Sequence, residues 1–200
     1  MTAKLTVADI VDQRAYERER SEYRRRIILL KQRRRVGVGP IITVLFENRD
    51  TVRFQIQEMA RAERLITDAA IQGELDTYNP LIPEPGQLSA TLFVELTSEV
   101  ALRDWLPRLV GLERTVALTA GEGPTALRVA AEPFADHVAA LSRDDTTASV
   151  HYLRWTCTPA QVTALTAGPV RLVVDHPEYR HAVPLPAATR IEVLGDLLGR

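Results

Sequence analysis

Chemistry in this chain would have to start from histidine, cysteine, carboxylate or arginine side chains, and their spacing argues against most known mechanisms. The four histidines, His137, His151, His176 and His181, all lie in the second half. None stands three or four residues from another histidine, the spacing a helical metal pair needs. His176 could meet Glu178 or His181 only around a turn. Cys157 is the single cysteine, so neither an internal disulfide nor a cysteine-built zinc or iron–sulfur site is available. It precedes Thr158-Pro159, where a helix dipole could lower its pKa, but it ends an apolar strand pattern that favours a buried, inert thiol. No Gly-x-Ser-x-Gly elbow, dinucleotide fingerprint or Walker loop occurs. Glu84, Glu95 and the Asp144-Asp145 pair carry no diagnostic spacing. No catalytic residue, metal ligand or cofactor is assigned.

Arginine is different. Residues 14–35 hold ten Arg or Lys and three Glu, a local charge of +7 in a chain whose total is −1, so the remainder carries −8. Arg-Arg-Arg occurs twice, and Arg24, Arg25, Arg26, Arg33, Arg34 and Arg35 are the candidate partner-binding residues. A basic helix seeks anions, whether RNA or DNA phosphates or acidic lipid. The plainer reading is a solvated helix packed by its seam on an acidic body, its charges answered within the molecule or across a dimer. Tyr16, Tyr23, Ile27 and Leu30 recur at seven, four and three, giving this helix a narrow apolar seam, with Arg20 and Arg34 in phase.

A second candidate surface is the polar corner Glu47, Asn48, Arg49 and Asp50. A strand-to-helix turn presents N–H groups and polar side chains together, although the same residues suit a helix cap. A third feature is Glu63. It falls in phase with Val52, Ile56, Met59, Ile66 and Ala70, so it is expected as a buried carboxylate meeting an arginine of the first helix.

These residues need elements to position them. Ile41 to Glu47 reads as a strand, followed by one long helix that ends at Gly73 or Asn79-Pro80. Leu88, Ala90, Leu92, Val94 and Leu96 then alternate with Ser89, Thr91, Phe93 and Glu95, the period of a half-buried strand. Val36-Gly-Val-Gly-Pro40 breaks the basic helix and turns into the first strand. Beyond it, a helix is expected after Ser98, strands at 115–119 and 127–131, and a short helix at 134–141. Strands follow at 149–157, 170–174 and 180–185, with helices after Thr158-Pro159 and over 187–198. The mixture lacks regular βαβ spacing, so the fold class is α+β: a basic helical arm over 1–40 packed on an α+β domain over 41–200, with a seam near 110–114.

The block Phe46 to Glu63 (FENRDTVRFQIQEMARAE), with Tyr78-Asn79-Pro80-Leu81-Ile82-Pro83 and Leu88 to Leu92, resembles an uncharacterised bacterial family known only as a domain of unknown function. The likeness continues into Tyr152 to Arg154, Thr158 to Val162 and Asp175 to Tyr179. Genes of that family often sit beside those for rubrerythrin and a cysteine-rich iron–sulfur oxidoreductase, which implies a redox setting but supplies no catalytic residues.

Composition adds bounds. With 46% hydrophobic and 26% charged residues the chain reads as globular. It has no apolar run of membrane-spanning length, and its first residues lack the apolar core of a secretory signal, so a cytoplasmic protein is expected. The leading expectation is a non-catalytic accessory or interaction protein with a protein partner or a homo-oligomeric state, tied to a redox system by the resemblance alone. The alternatives are nucleic-acid binding through residues 14–35 and an enzyme with an unrecognised site.

Overall fold

The computed structural model describes residues 3–121, 123, 126–134 and 145–199. The helix expected over 134–141, and with it His137, falls almost wholly outside them. The fold is α+β, as the sequence indicates. Helix α1 (Gln13–Arg34) starts on Asp12, whose carboxylate accepts from the N–H groups of Arg14 and Ala15. It runs directly into β1 (Arg35–Val38), a strand not foreseen as separate from the next. Gly39 takes φ +73°, and a Cβ there would strike Tyr179 and His181. A glycine therefore makes the hairpin into β2 (Ile42–Phe46). The Tyr179 hydroxyl donates to the Val38 carbonyl at 2.6 Å, tying this hairpin to the second sheet.

After β2, the single long helix expected is two: α2 (Arg49–Ala62) and α3 (Asp68–Tyr78). The break is a C-terminal Schellman motif. The Leu65 N–H donates to the Ala60 carbonyl and the Arg64 N–H to that of Arg61, with Arg64 left-handed at φ 56°. Glycine usually fills that position, and its absence hid the break from sequence reading. Thr67 then caps α3 by accepting from the Ala70 N–H.

The remaining elements are β3 (Gln87–Val94), α4 (Glu99–Arg108), β4 (Val116–Ala120), β5 (Leu127–Ala130), β6 (Glu132–Pro133), β7 (Val150–Thr156), α5 (Pro159–Ala167), β8 (Val170–His176), β9 (Tyr179–Pro184) and α6 (Ala187–Leu197). Two antiparallel sheets result, with strand orders β1-β2-β3-β7-β6 and β5-β4-β8-β9. One face of the first sheet (Val36, Val44, Phe46, Leu88, Leu92, Leu153, Trp155) shares a core with Val116, Leu118, Leu172 and Val174 of the second. Leu112, within the seam expected at 110–114, and Leu109 just before it are buried in that core. The opposite face is covered by α1, α2, α3 and the N-terminal segment. There Leu5, Ile10, Val52, Ile56, Leu75, Leu81 and Ile82 form a second cluster. No helix among the described residues is long and apolar enough to cross a membrane.

Candidate functional site

Helix α1 lies along α2 by the seam its spacing indicated: Tyr16 and Ile27 are buried and Tyr23 is half-buried. An acid–arginine pair does sit between the two helices, but its carboxylate is Glu58, not Glu63. Arg20 donates to Glu58 through Nε and Nη2, both at 2.8 Å, and the Tyr16 hydroxyl adds a third bond at 2.6 Å. These donors hold the Glu58 carboxyl below its usual range, the Arg20 bonds contributing most. Burial and the neighbouring Glu58 push the Tyr16 phenol upward. Glu63 is the exposed cap residue at the end of α2. The apolar stripe used to place it stops after Ile56, because α2 buries Gln57 and Ala60 next and then ends; Ile66 is 83% exposed.

The six candidate arginines separate. Arg34 is wholly buried, which removes it from any partner-binding surface. It donates to the carbonyls of Phe46 and Glu47 at 2.9 and 3.1 Å and pairs with Asp196 of α6, with Glu192 beside it. Burial outweighs the arginine at Asp196 and raises its pKa. Arg33 and Arg35 are exposed but paired, with Glu192 at 2.9 Å and Glu95 at 3.0 Å. Arg26 lies over the Tyr23 ring. Arg24 and Arg25 are exposed and make no ion pair among the described residues, as is also true of Arg18. Beside them on the outer face of α1 stand Ile28 and Leu29, 41% and 56% exposed.

The polar corner also divides. Asn48 caps α2, its side chain accepting from the Thr51 N–H at 3.0 Å while the Asn48 N–H donates to the Thr51 hydroxyl. Arg49 pairs with Asp9 at 2.6 Å, and the Thr6 backbone N–H, followed by the Arg49 guanidinium, holds the Asp9 carboxyl below its usual range. Asp50 is exposed. Only Glu47 turns inward. Its two carboxylate oxygens accept from the hydroxyls of Thr91 (2.6 Å) and Thr51 (2.5 Å).

Glu47 borders a cavity of about 200 Å³ between the helix-covered face of the first sheet and helices α1–α3. Lys31, Gln55, Tyr78, Thr91 and Tyr152 supply its polar lining, and Leu45, Val52, Leu81, Phe93 and Val150 its apolar walls. Burial lowers the Lys31 pKa, opposed by the Glu47 charge. Tyr152 is pushed up to about 12, mainly by burial. The sequence reading missed Lys31, Tyr78, Thr91 and Tyr152. One signal was available: Lys31 lies four residues after Ile27, on the buried side of α1.

The second half offers less. His176 is buried, its ring held between the Val110 carbonyl (3.0 Å) and the Glu178 N–H (3.2 Å), and His181 stacks near Tyr179. His151 lies within 3.0 Å of the Thr147 hydroxyl and the Ala148 carbonyl, with Glu113 4.0 Å from its other nitrogen; burial lowers its pKa. Burial raises the Cys157 thiol, against any help from the following helix. Among the described residues no three His, Cys, Asp or Glu groups converge to hold a metal ion.

The model of one protein family, described as a protein of unknown function (DUF3501), matches residues 4–197. A crystal structure of a protein of unknown function from Burkholderia pseudomallei K96243 superposes with a TM-score of 0.88 at 35% identity, covering 98% of this chain and 100% of that one. No curated protein matches the chain significantly.

Proposed function

This chain belongs to the DUF3501 family of proteins of unknown function, and we propose that it acts as a docking protein whose outer α1 face receives an acidic protein surface. The carrying observation is the division of labour along α1. Arg20, Arg33, Arg34 and Arg35 are answered within the molecule, whereas Arg24 and Arg25 stand unanswered about one turn before exposed Ile28 and Leu29, with unanswered Arg18 about two turns earlier still on α1. Cationic groups beside an exposed apolar pair suit a protein interface, where the apolar residues anchor and the charges steer. A nucleic-acid backbone would leave Ile28 and Leu29 in water, and no exposed aromatic accompanies them to stack on bases. The redox setting implied by the family resemblance makes an iron–sulfur or rubrerythrin-type enzyme the first partner to try.

The test replaces Arg18, Arg24 and Arg25 by Gln and Leu29 by Ser. Binding to the candidate partner, measured by calorimetry, is expected to fall at least tenfold while the melting temperature stays near wild type, since exposed charges contribute about 0–1 kcal/mol per pair to stability. Unchanged binding would overturn the reading. Tight binding to random-sequence RNA with a steep inverse dependence on salt would replace it with the nucleic-acid alternative.

A further inference from the structure

The cavity beside Glu47 lies on the side of α1 opposite the docking face, and it is built unevenly. Its volume of about 200 Å³ exceeds by an order of magnitude the roughly 10–15 Å³ that a single water needs on the same measure. It falls below the roughly 300–1,000 Å³ of sites for drug-sized molecules. Its negative group is committed inward, because both Glu47 oxygens already accept threonine hydroxyls. Its positive group is not. The Lys31 ammonium has neither a hydrogen bond nor an ion pair among the described residues; it meets the face of the Phe54 ring at 5.3 Å and feels the Glu47 charge only at longer range. An ammonium carries three donors and no acceptor, so a half-buried one lacking partners calls for an acceptor, preferably an anionic one. Gln55 and Tyr78 line the same space, hydrogen-bonded to each other and, through Tyr78, to Tyr152. Apart from Thr91 and the Tyr152 phenol, the rest of the wall is apolar: Leu45, Val52, Leu81, Phe93 and Val150.

We propose that this cavity binds a small monocarboxylate with an apolar body, its carboxylate on Lys31 and its hydrocarbon against Leu45, Val52, Phe93 and Val150. The ligand is fragment-sized, in the range of a short-chain fatty acid or an aromatic acid such as benzoate. Glu47, held by Thr51 and Thr91, is a positioning residue: it sets the polar floor of the cavity and does not itself receive the ligand.

The experiment titrates the full chain with benzoate, butyrate and hexanoate by calorimetry, with benzyl alcohol, benzylamine and phenylalanine as neutral, cationic and zwitterionic counterparts. At least one acid is expected to bind one site saturably, at least tenfold more tightly than the alcohol or the amine. Lys31→Met should weaken that acid tenfold or more, while Lys31→Arg retains most of the affinity. Val150→Trp, which fills the cavity from the sheet side without touching the charge, should abolish binding, and circular dichroism reports whether each variant is folded. Absence of saturable binding by all three acids overturns the proposal. So does a Lys31→Met affinity equal to wild type, or a preference for benzylamine or phenylalanine. The α1 docking variants leave this titration unchanged, so the two readings fail separately.

Discussion

The two faces of the first sheet are made from the same strands and solve opposite problems. Towards the second sheet, Val44, Phe46, Leu88, Leu92, Leu153 and Trp155 interlock with apolar partners and need only shape. Towards the helices, Thr43, Glu47, Ser89 and Thr91 are also buried but polar, and each needs a named partner. Thr43 donates to Glu95, Ser89 to the Leu81 carbonyl, Thr91 to Glu47, and Arg34 reaches the carbonyls at the end of β2. The apolar face tolerates volume-conserving change. A polar face does not, because one deletion strands the partner. The comparison therefore predicts two kinds of damage, one spread over a cavity and one passed to a specific neighbour.

The largest effect is expected on the apolar face. Trp155 is fully buried against Phe46, and Trp155→Ala should cost about 3–5 kcal/mol in urea unfolding. A loss under about 1 kcal/mol would mean that the two sheets do not share a packed core.

On the polar face, Arg34→Met should cost about 3 kcal/mol by leaving Asp196 and the Phe46 and Glu47 carbonyls without their donor. Adding Asp196→Leu should restore part of that loss, which Trp155→Ala cannot gain from any second change at Asp196. Equal behaviour of the two double variants would erase the distinction between the faces.

How much of this was legible follows from the same contrast. The Leu88–Leu96 alternation located the strand and its apolar side, because that side obeys a period of two. The same pattern suggested that Ser89 and Thr91 face solvent, and composition alone gave no hint of the helices covering them. On α1 the seam of Tyr16 and Ile27 was readable, including the arginines in phase with it, because a helix repeats over several turns. What failed was the stop: α2 ends on a left-handed Arg64, where no glycine marked the position, so the stripe carried past residue 62 misplaced Glu63 and Ile66, although the helical pattern does end at Asn79-Pro80. The cavity was illegible for a further reason, since its lining comes from α1, α2, α3 and three strands that no local pattern brings together.

A smaller effect separates polar partners by pH. Glu58→Ala should cost about 1 kcal/mol at pH 7, less than a fully buried charged hydrogen bond because solvent still reaches the pair. Its folded-state pKa is depressed by Arg20 and Tyr16. The stabilisation is therefore present above the unfolded carboxylate value and is lost as pH falls through the folded one. The wild-type advantage over Glu58→Ala should shrink below about pH 4. An advantage that is constant down to pH 2 would assign the effect to packing.

Arg64→Gly should stabilise by about 0.5–1 kcal/mol. A left-handed conformation costs a non-glycine residue roughly 1–2 kcal/mol, and part of the relief is returned to the more flexible unfolded chain. Destabilisation would mean that the arginine side chain, not the backbone, holds the α2–α3 corner.

The smallest effect belongs to Glu63, and it bears on the comparison because Glu63 and Glu58 are five residues apart on one helix. A helical stripe drawn through Val52, Ile56 and Met59 passes through position 63 and predicts a buried, paired acid there. The packed face instead rotates towards Gln57 and Ala60. Gln57 exchanges two hydrogen bonds with the backbone of Val11, at 2.9 and 2.8 Å, and Glu58 takes Arg20 and Tyr16. Position 63 is left as an exposed cap whose backbone N–H, not its carboxylate, makes the structural bond, to the Met59 carbonyl. Alanine preserves that N–H. Glu63→Ala should thus lie within about 0.5 kcal/mol of wild type in urea unfolding, as exposed substitutions do, at pH 7 and pH 4 alike. A loss of 3 kcal/mol or more would place a buried ion pair at position 63 and move the acid–arginine contact between α1 and α2 one turn further along.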